Sequence, residues 1–403
     1  METLSQPDFG SQKFKSNPYP FFARLRAEAP VFRIVGPTRE VGWLVTRYDD
    51  VVTLLKHPGI SKDRLSFMTQ EQLDKLPWLF KLFKPLAQNM LSRDPPDHTR
   101  LRSLVHKAFT PRLVERLRGR VQALADGLLD AALRKGSLDL VKDYALPIPV
   151  TIIAEMLGVP ASDHRKFQRW SNRLVSNTTR GDLLLSIPAV VMFARYLRTL
   201  IAQRRSSPGD DLLTALIQAE EAGDKLTQDE LVSMVFLLLV AGHETTVNLI
   251  SGGSLALLQH PDQMERLRQN PALIEPAIEE LLRYTSPVEL ATERFALEDI
   301  TIAGTTIPRG DLLFAVIGSA NRDERYFENP DTLELAREPN KHLSFGFGIH
   351  YCLGAPLARL EGQIAIQTLL NRAPRLRLAK PVESLSWRTG FLIHGPKRLP
   401  VAV

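Results

Sequence analysis

The sequence contains very little cysteine, and this scarcity excludes whole classes of protein. Cys352 is the only cysteine among 403 residues. A single thiol cannot form an intrachain disulfide or a four-cysteine metal site. The chemistry of this one thiol is therefore the first question that the sequence raises.

Long apolar runs and targeting signals are also missing. The longest apolar run, from Leu231 to Val240, is far shorter than the about 20 residues of a membrane span. The N-terminus has neither the basic start nor the apolar core of a signal peptide. These absences predict a cytoplasmic protein without a membrane anchor.

The sequence has no repeat, low-complexity run or Ser/Gly-rich linker that would separate domains. Its residues are 44% hydrophobic and 24% charged, as in ordinary globular proteins with a large core. We therefore expect one large domain over residues 1–403, and a monomer.

Positive charge is concentrated in one stretch. The net charge is +6, and the densest basic run extends from Arg100 to Arg120, with Glu115 as its only acid. Phe109 is its only aromatic residue, so the stacking residues typical of single-strand nucleic-acid binding are nearly absent. The run favours an acidic protein partner over a nucleic acid.

Three glycines flank the single cysteine. Gly346, Gly348 and Gly354 predict a loop that takes positive φ and lets the backbone lie close to a large flat group. Leucines and isoleucines at helical spacing follow, so Cys352 is expected at a helix N-terminus, where the helix dipole favours thiolate. Such a thiolate is a nucleophile or an axial metal ligand, whereas a lone buried cysteine is usually inert packing.

One long helix contains an unusual turn. Thr227 and Glu230 form a predicted capping box, and no proline interrupts the sequence before His260. The segment from Ala241 to Thr246 places a glycine, a carboxylate and two hydroxyls inside this apolar helix. The glycine costs about 1 kcal/mol relative to alanine, and such violations tend to mark function. The alternative is that the threonines bond to carbonyls one turn earlier, and that His243 is packing or surface.

Two shorter motifs place charged residues one helical turn apart. Asp94 is expected to cap a helix that carries His98 and Arg102 on one face, as two cationic donors or as a solvated basic face. Glu280 and Arg283 lie at i and i+3, a pair worth about 0.3 kcal/mol on a surface.

The residues around the cysteine resemble the haem-ligand signature of the cytochrome P450 family. Phe345, Gly348, Cys352 and Gly354 fill the pattern Phe-x-x-Gly-x-x-x-Cys-x-Gly. The resemblance implies a mainly α fold with small β-sheets and the cofactor haem b, iron protoporphyrin IX. It implies that Cys352 is the proximal iron ligand, that Phe345 packs near its sulfur and that Gly354 lets the next helix approach the porphyrin.

The unusual helical turn is similar to the oxygen-binding groove of that family, whose pattern is Ala-Gly-x-Glu-Thr. By this resemblance Ala241 and Gly242 lie against the haem, and Gly242 permits a local opening of the helix. Thr245 then donates a hydrogen bond to bound oxygen and Glu244 helps to relay protons.

Other roles follow only from the resemblance. The haem propionates are expected to bind His98, Arg102, Arg294 and His350, and Gly346 belongs to the haem-binding loop. Arg337 is expected to join Glu280 and Arg283 in a structural scaffold.

Three apolar regions are candidates for the substrate site. The family places pocket walls at Val288, Ala291, Leu392 and Ile393. The segment from Phe67 to Phe83 is expected to cover the substrate, although its aromatics could instead form a partner or membrane-surface patch. The segment from Leu183 to Phe193 is either helix core or a mobile lid.

The resemblance therefore predicts a haem-thiolate monooxygenase that inserts one oxygen atom from O2 into an apolar organic substrate. Fatty acids, terpenoids, steroids and macrolides all remain open as substrates. Electrons are expected from a separate ferredoxin or flavodoxin-type protein and its NAD(P)H reductase. The alternatives are a peroxide-driven peroxygenase, a non-catalytic haem or ligand sensor, and a basic nucleic-acid binder.

Overall fold

The structure is a computed structural model. It describes residues 4–36, 40–63, 86, 88–164, 166, 170, 180–221 and 226–403. The expected substrate cover from Phe67 to Phe83 lies outside these residues, and so do the side chains of Leu183–Leu185 in the expected lid.

Helices form most of the described chain. In chain order they are α1 Gln12–Ser16, α2 Tyr19–Glu28, α3 Tyr48–Lys56, α4 Asp97–Ala108, α5 Pro111–Arg116, α6 Arg118–Lys135, α7 Pro147–Met156, α8 Arg180–Ser206, α9 Leu212–Glu221, α10 Gln228–Gln259, α11 Pro261–Gln269, α12 Ile274–Thr285, α13 Ile317–Ala320 and α14 Ala355–Arg372. Shorter helical turns cover Leu140–Ala145, Ala161–Asp163, Pro271–Leu273, Gly348–His350 and Val382–Ser384.

The strands are short and form small sheets. They are β1 Val31–Val35, β2 Val41–Val45, β3 Ile60–Ser61, β4 Ser137–Asp139, β5 Arg294–Ala296, β6 Ile300–Ile302, β7 Thr305–Ile307, β8 Leu312–Ala315, β9 Arg377–Leu378 and β10 Pro400–Ala402. Their orders among the described residues are β1-β2-β8-β5-β3, β4-β10-β9 and β6-β7. The expected fold class, mainly α with small β-sheets, is confirmed.

The chain divides into two compact units. Unit 1 contains Met1–Ile60, Gln122–Leu146 and Thr245–Val403, and unit 2 contains Ser61–Val121 and Pro147–Glu244. Helix α10 contributes residues to both units. A single domain over residues 1–403 stays a prediction.

The largest sheet of unit 1 has a core that its sequence pattern explains. Strands β1 and β2 are antiparallel, with Val31 opposite Val45, and β2 runs parallel to β8. Leu313 and Ala315 from β8 are fully buried in the same cluster as Val45. Helix α3 follows directly after β2 in the chain.

Close packing of α10 against α14 in unit 1 depends on two glycines. A Cβ atom on Gly253 would lie 3.2 Å from Ile366 Cδ1, and one on Gly362 would lie 2.9 Å from Leu249 Cδ2. The absence of side chains at these positions lets the two helices approach each other.

The expected start of α10 is confirmed. The Glu230 carboxylate accepts from the Thr227 amide at 2.7 Å, and the Thr227 hydroxyl accepts from the Glu230 amide at 3.2 Å. The helix ends at Gln259, next to the predicted limit. Asp211 precedes α9, and its carboxylate accepts from the Thr214 amide at 2.8 Å.

One local expectation is wrong. The Asp94 side chain does not cap α4: it accepts from the Ser61 hydroxyl and the Lys62 amide, and Pro96 occupies the N-cap. The Asp94 carbonyl accepts from the His98 amide at 2.9 Å. Between Ser286 and β5 the chain is irregular, with a β-bridge at Val288 and a left-handed Ser286 with φ of 42°.

Helix α10 is also the candidate membrane span among the described residues. It is long and apolar enough by composition, but 56% of its most apolar window is buried inside the structure. The core helix of a soluble protein can have the same length and hydropathy, so these two properties are weak evidence for a membrane span.

Candidate active site

The loop that carries Cys352 lies in unit 1 and has the backbone that its glycines predict. The Cys352 side chain is exposed, and its amide donates to the Phe345 carbonyl at 2.9 Å. Gly346 and Gly348 take φ values of +73° and +75°, which disfavour other residues. A Cβ atom on Gly348 would also lie 3.1 Å from a backbone oxygen of α3.

The expectation that Gly354 also takes positive φ is wrong. Its φ is −81°, and it is the N-cap residue of α14, which begins at Ala355. Cys352 therefore lies in the loop just before the helix. A Cβ atom on Gly354 would lie 4.0 Å from the Cys352 sulfur, so the glycine leaves space beside the thiol.

An ion-pair cluster that the sequence did not reveal supports this loop. The Arg359 guanidinium lies 4.5 Å from the centre of the Phe345 ring and binds both Glu279 oxygens at 2.7 Å. His342 lies 3.2 Å from the same carboxylate. Burial would raise the pKa of Glu279, but the hydrogen bonds from Arg359 and His342 outweigh it and lower that pKa to about 2. The cluster joins α12, α14 and the cysteine loop through charged side chains far apart in sequence.

The expected pairing of Glu280, Arg283 and Arg337 is confirmed. Arg283 Nε and Nη2 each lie 2.8 Å from Glu280, and Arg337 Nε lies 3.1 Å from it. The Glu280 and Arg283 side chains are fully buried. The pair is therefore a core interaction and not the surface pair that its spacing alone indicates.

The unusual turn of α10 crosses the boundary of the units. Ala241, Gly242 and Glu244 belong to unit 2, and Thr245 is the first residue of α10 in unit 1. The helix is continuous over all its residues, which are described, so the expected local opening at Gly242 is not present in its secondary structure. A Cβ atom there would lie 3.3 Å from Ile153 Cδ1, so the glycine instead permits close packing in unit 2.

Side chains in this turn differ in exposure. Glu244 and Thr245 are partly exposed. His243 is buried and its Nδ1 lies 2.8 Å from the Leu239 carbonyl, which confirms the packing interpretation.

His98 and Arg102 are neighbours on α4 in unit 2. His98 is 2% exposed. Burial and then the charge of Arg102 lower the pKa of His98 below its ordinary value of 6.5. Arg102 supplies a charge, and the lowered pKa of His98 favours its neutral imidazole, so two cationic donors stay a prediction.

Arg294 and His350 lie in unit 1. Arg294 begins β5, is 6% exposed and donates from Nη1 to the Thr292 carbonyl at 3.0 Å. His350 ends the short helical turn that precedes Cys352 and is partly exposed. The propionate roles of these residues stay predictions.

The expected pocket walls are brought together within unit 1. Val288 forms a β-bridge with Ile393, and the Leu392 carbonyl accepts from the two amides that follow Val288, at 2.9 and 3.1 Å. The Ala291 amide donates to a carbonyl of β8 at 2.9 Å. The four side chains are partly buried. In unit 2, Val191 and Met192 of the expected lid are exposed.

Part of the basic run is paired with acids from elsewhere in unit 2, which the sequence did not reveal. The ion pairs are Arg100–Glu230, Arg116–Asp210, Arg118–Glu115 and Arg120–Glu155. In three dimensions Glu230, Asp210 and Glu155 therefore join Glu115 beside this run.

A buried acid was also missed. Glu361 on α14 is 1% exposed, although in sequence it reads as an ordinary charged helix residue. The glycine beside it, Gly362, was the available signal of close helix packing.

A family model described as Cytochrome P450 matches residues 7–374. The chain belongs to the cytochrome P450 family. This P450 is 47% identical over 407 residues to the polyketide biosynthesis cytochrome P450 PksS of Bacillus subtilis (strain 168), with 100% of each chain covered. The solved structure of PksS has a TM-score of 0.92 at 46% identity, covering 98% of this chain and 99% of PksS.

Two further solved structures are similar in fold and sequence. A myxobacterial P450, CYP267B1 in complex with myristic acid, has a TM-score of 0.92 at 43% identity, with 99% of each chain covered. P450BioI in complex with a hexadec-9Z-enoic acid-ligated acyl carrier protein has a TM-score of 0.88 at 40% identity, covering 98% of this chain and 100% of P450BioI.

Cytochromes P450 carry haem b, and this chain is a P450 monooxygenase. The residues present fit that cofactor. An exposed thiol on a loop with two positive-φ glycines is a suitable donor for haem iron. The side chains expected at the propionates include two guanidinium groups, which match the charge of two carboxylates.

Proposed function

We propose that this P450 inserts one oxygen atom from O2 into an apolar organic substrate, with electrons from a separate ferredoxin or flavodoxin-type protein and its NAD(P)H reductase. The observation that carries the proposal is the Cys352 loop, with its exposed thiol and its glycine-dependent backbone. The carboxylate and hydroxyl at Glu244 and Thr245 support turnover over a binding-only role.

The Cys352 sulfur, as thiolate, would hold the iron. Bound haem supplies the binding and activation of O2. The Phe345 ring, held under the Arg359 guanidinium, limits movement of the loop, and the salt bridge from Arg359 to Glu279 holds that guanidinium in place. Gly346 and Gly348 give the loop its positive-φ backbone, and Gly354 leaves space beside the Cys352 sulfur.

Four residues would bind the propionates. Arg102 and Arg294 would supply the two positive charges, and His98 would donate a hydrogen bond as a neutral imidazole. His350 would be the fourth donor. Ala241, whose side chain is a methyl group, and Gly242, which has none, would let the haem approach α10 closely.

Proton supply is assigned to adjacent residues of α10. The partly exposed Glu244 carboxyl would exchange protons with solvent, and the Thr245 hydroxyl would donate a hydrogen bond at the site of oxygen activation. Delivery through an acid and an alcohol keeps bulk water away from the reacting atoms.

Acyl or polyketide chains are the first substrates to test. The four pocket-wall residues are apolar. PksS is named for polyketide biosynthesis, and the two other relatives were solved with a fatty acid or a fatty-acyl carrier protein. We place the protein in the cytoplasm as a monomeric single domain, and the net charge of +6 favours an acidic electron donor.

The first experiment is the difference spectrum of the reduced protein with carbon monoxide. Thiolate-ligated haem gives a Soret band far to the red of histidine-ligated haem, and Cys352→Ala is expected to lose that band. A wild-type protein that binds no haem even after reconstitution would refute the proposal.

The second experiment separates the modes of turnover. Acyl and polyketide substrates are incubated with NAD(P)H and a ferredoxin system, or with hydrogen peroxide alone. Product from the first mixture and little from the second supports the proposal. Product from peroxide alone indicates a peroxygenase, and no product from either mixture indicates a binding protein.

A further inference from the structure

A buried lysine of α1 contacts both of the segments that carry the expected pocket walls of unit 1. Residues 287–291 and residues 391–394 form these two wall segments. The Lys15 ammonium group donates to Glu289 Oε1 in the first segment at 3.2 Å, and to the Ile393 carbonyl in the second at 3.4 Å. One charged group on α1 therefore bridges the two wall segments.

The ion pair between Lys15 and Glu289 is buried. The Lys15 side chain is 0% exposed and the Glu289 side chain 3%. Among the described residues, no other group donates a hydrogen bond to the Glu289 carboxylate. Because a buried charge is far less stable without a partner than with one, the position of this carboxylate depends on the ammonium group of Lys15.

Neighbouring groups of α1 also contact the wall segments. The His394 imidazole donates through Nε2 to the Lys15 carbonyl at 2.9 Å. Phe14 lies in one buried apolar cluster with Leu290, and Leu392 packs against that cluster. Helix α1 is therefore joined to the wall segments by charged, polar and apolar groups.

The wall segments are joined to each other by three backbone hydrogen bonds among the described residues. The amides of Glu289 and Leu290 donate to the Leu392 carbonyl, at 2.9 and 3.1 Å. The His394 amide donates to the Pro287 carbonyl at 3.1 Å. Two short paired segments are marginally stable by themselves, so the bridge through Lys15 is a substantial further constraint on their separation.

We propose that Lys15 is a positioning residue for the substrate: its ammonium group fixes the separation of the two wall segments, and thereby the shape of the apolar site beside Val288 and Ile393. The inference rests on the proposed function, in which these residues are walls of the substrate pocket. Lys15 has no exposed surface, so it acts on a substrate only through the walls. Without the ammonium group the Glu289 carboxylate has no counterion, and the wall segments shift to bring it towards solvent.

The first test is hydrogen exchange of the holoprotein, measured by mass spectrometry without substrate. Lys15→Met removes the ammonium group and keeps an unbranched side chain. We expect amides of both wall segments to exchange about tenfold faster or more, because loss of one partner of a buried ion pair favours local opening. Peptides from α14 should keep the wild-type rate.

The matched control is Lys13→Met, the same substitution two residues away on α1, where the side chain is exposed. We expect it to exchange as the wild type does. Glu289→Gln removes the other charge of the pair at nearly constant volume and should also accelerate exchange in the wall segments. The double variant Lys15→Met with Glu289→Gln should exchange no faster than the faster single variant, because both changes break the same pair.

The second test measures the consequence for a substrate, with myristic acid as the probe. Calorimetry gives its Kd, and product analysis gives the ratio of hydroxylated positions. We expect Lys15→Met to raise the Kd about tenfold, which corresponds to walls in place in about one molecule in ten. The ratio of hydroxylated positions should change as well, an effect that reduced stability of a folded enzyme does not produce.

Wild-type exchange of the wall segments in Lys15→Met and Glu289→Gln would overturn the inference. Equal acceleration in α14 would also overturn it, because it would show a general loss of stability. So would an unchanged Kd and product ratio in a variant whose wall segments exchange faster. If Lys15→Met does not fold, Glu289→Gln decides the inference.

Failure of the proposed function is distinguishable from failure of this inference. The wild type would then lack the thiolate spectrum or form no product, while hydrogen exchange would still report on the wall segments. A wild type that binds no myristic acid would contradict the acyl substrate class, and the exchange test would still decide the role of Lys15.

Discussion

Removing the charge of Glu280 is expected to destabilise the fold strongly. Its carboxylate accepts from Arg283, Arg337, the Asn340 side chain and the Glu334 amide, at 2.8 to 3.1 Å. Arg283 is fully buried, so Glu280→Gln leaves its charge without a carboxylate. Removing one partner of a buried ion pair lowers the free energy of unfolding by about 3 to 5 kcal/mol. An i, i+3 ion pair on a helix surface contributes only about 0.3 kcal/mol.

The assay is urea unfolding, followed by far-UV circular dichroism and haem absorbance together, so that a separate loss of haem is detected. With a slope of about 3 kcal/mol per M, the midpoint of Glu280→Gln should fall by about 1 M or more. Glu334→Gln is the matched control, because that carboxylate is 42% exposed and its ion pair with Arg266 contributes about 1 kcal/mol or less. Equal midpoint shifts in the two variants would refute the reasoning from burial.

Three other predictions concern stability, measured by the same unfolding assay. The pKa of Glu279 lies near 2, below its ordinary 4.5, so its ion pairs stabilise the protein above about pH 4.5 and are lost as the pH falls towards 2. Glu279→Gln should therefore flatten the decline in stability between about pH 5 and pH 3, and parallel profiles would contradict this. Gly127→Ala should stabilise by about 0.4 to 1 kcal/mol, because its Cβ atom would meet nothing within 4 Å on helix α6. Gly395→Ala should destabilise by about 1 to 3 kcal/mol, because its Cβ atom would lie 2.5 Å from the buried Asn248 Oδ1; equal stability of the two alanine variants would argue against both.

Features that depend on a few neighbouring residues could be predicted from the sequence. The capping box at Thr227 sets the start of α10, and Pro261 begins the next helix just after its end. Gly346 and Gly348 predict the positive φ values of the cysteine loop, because glycine lacks a Cβ atom and adopts such φ values without steric conflict. Local reasoning failed where a neighbouring residue changed the geometry, as at Asp94, which two prolines separate from the helix that it was expected to cap.

Burial and long-range pairing could not be predicted from the same patterns. Glu280 and Glu361 are both glutamates in helices, yet Glu280 forms a buried salt bridge with Arg283, whereas burial raises the pKa of Glu361. Their difference arises from desolvation and from the charges that distant segments bring near them. Arg120 likewise reads as part of a basic run, but Glu155, 35 residues away, binds it at 2.6 Å.

The sequence by itself therefore determined the family, the cysteine loop and the limits of the main helix, because the signals for these lie within a few residues of one another. Only the tertiary structure decided which charges are paired and which charged side chains are buried. The physical reason is that electrostatic free energies depend on the solvent and charges within a few ångströms, and the folded chain fills that space with residues far apart in sequence.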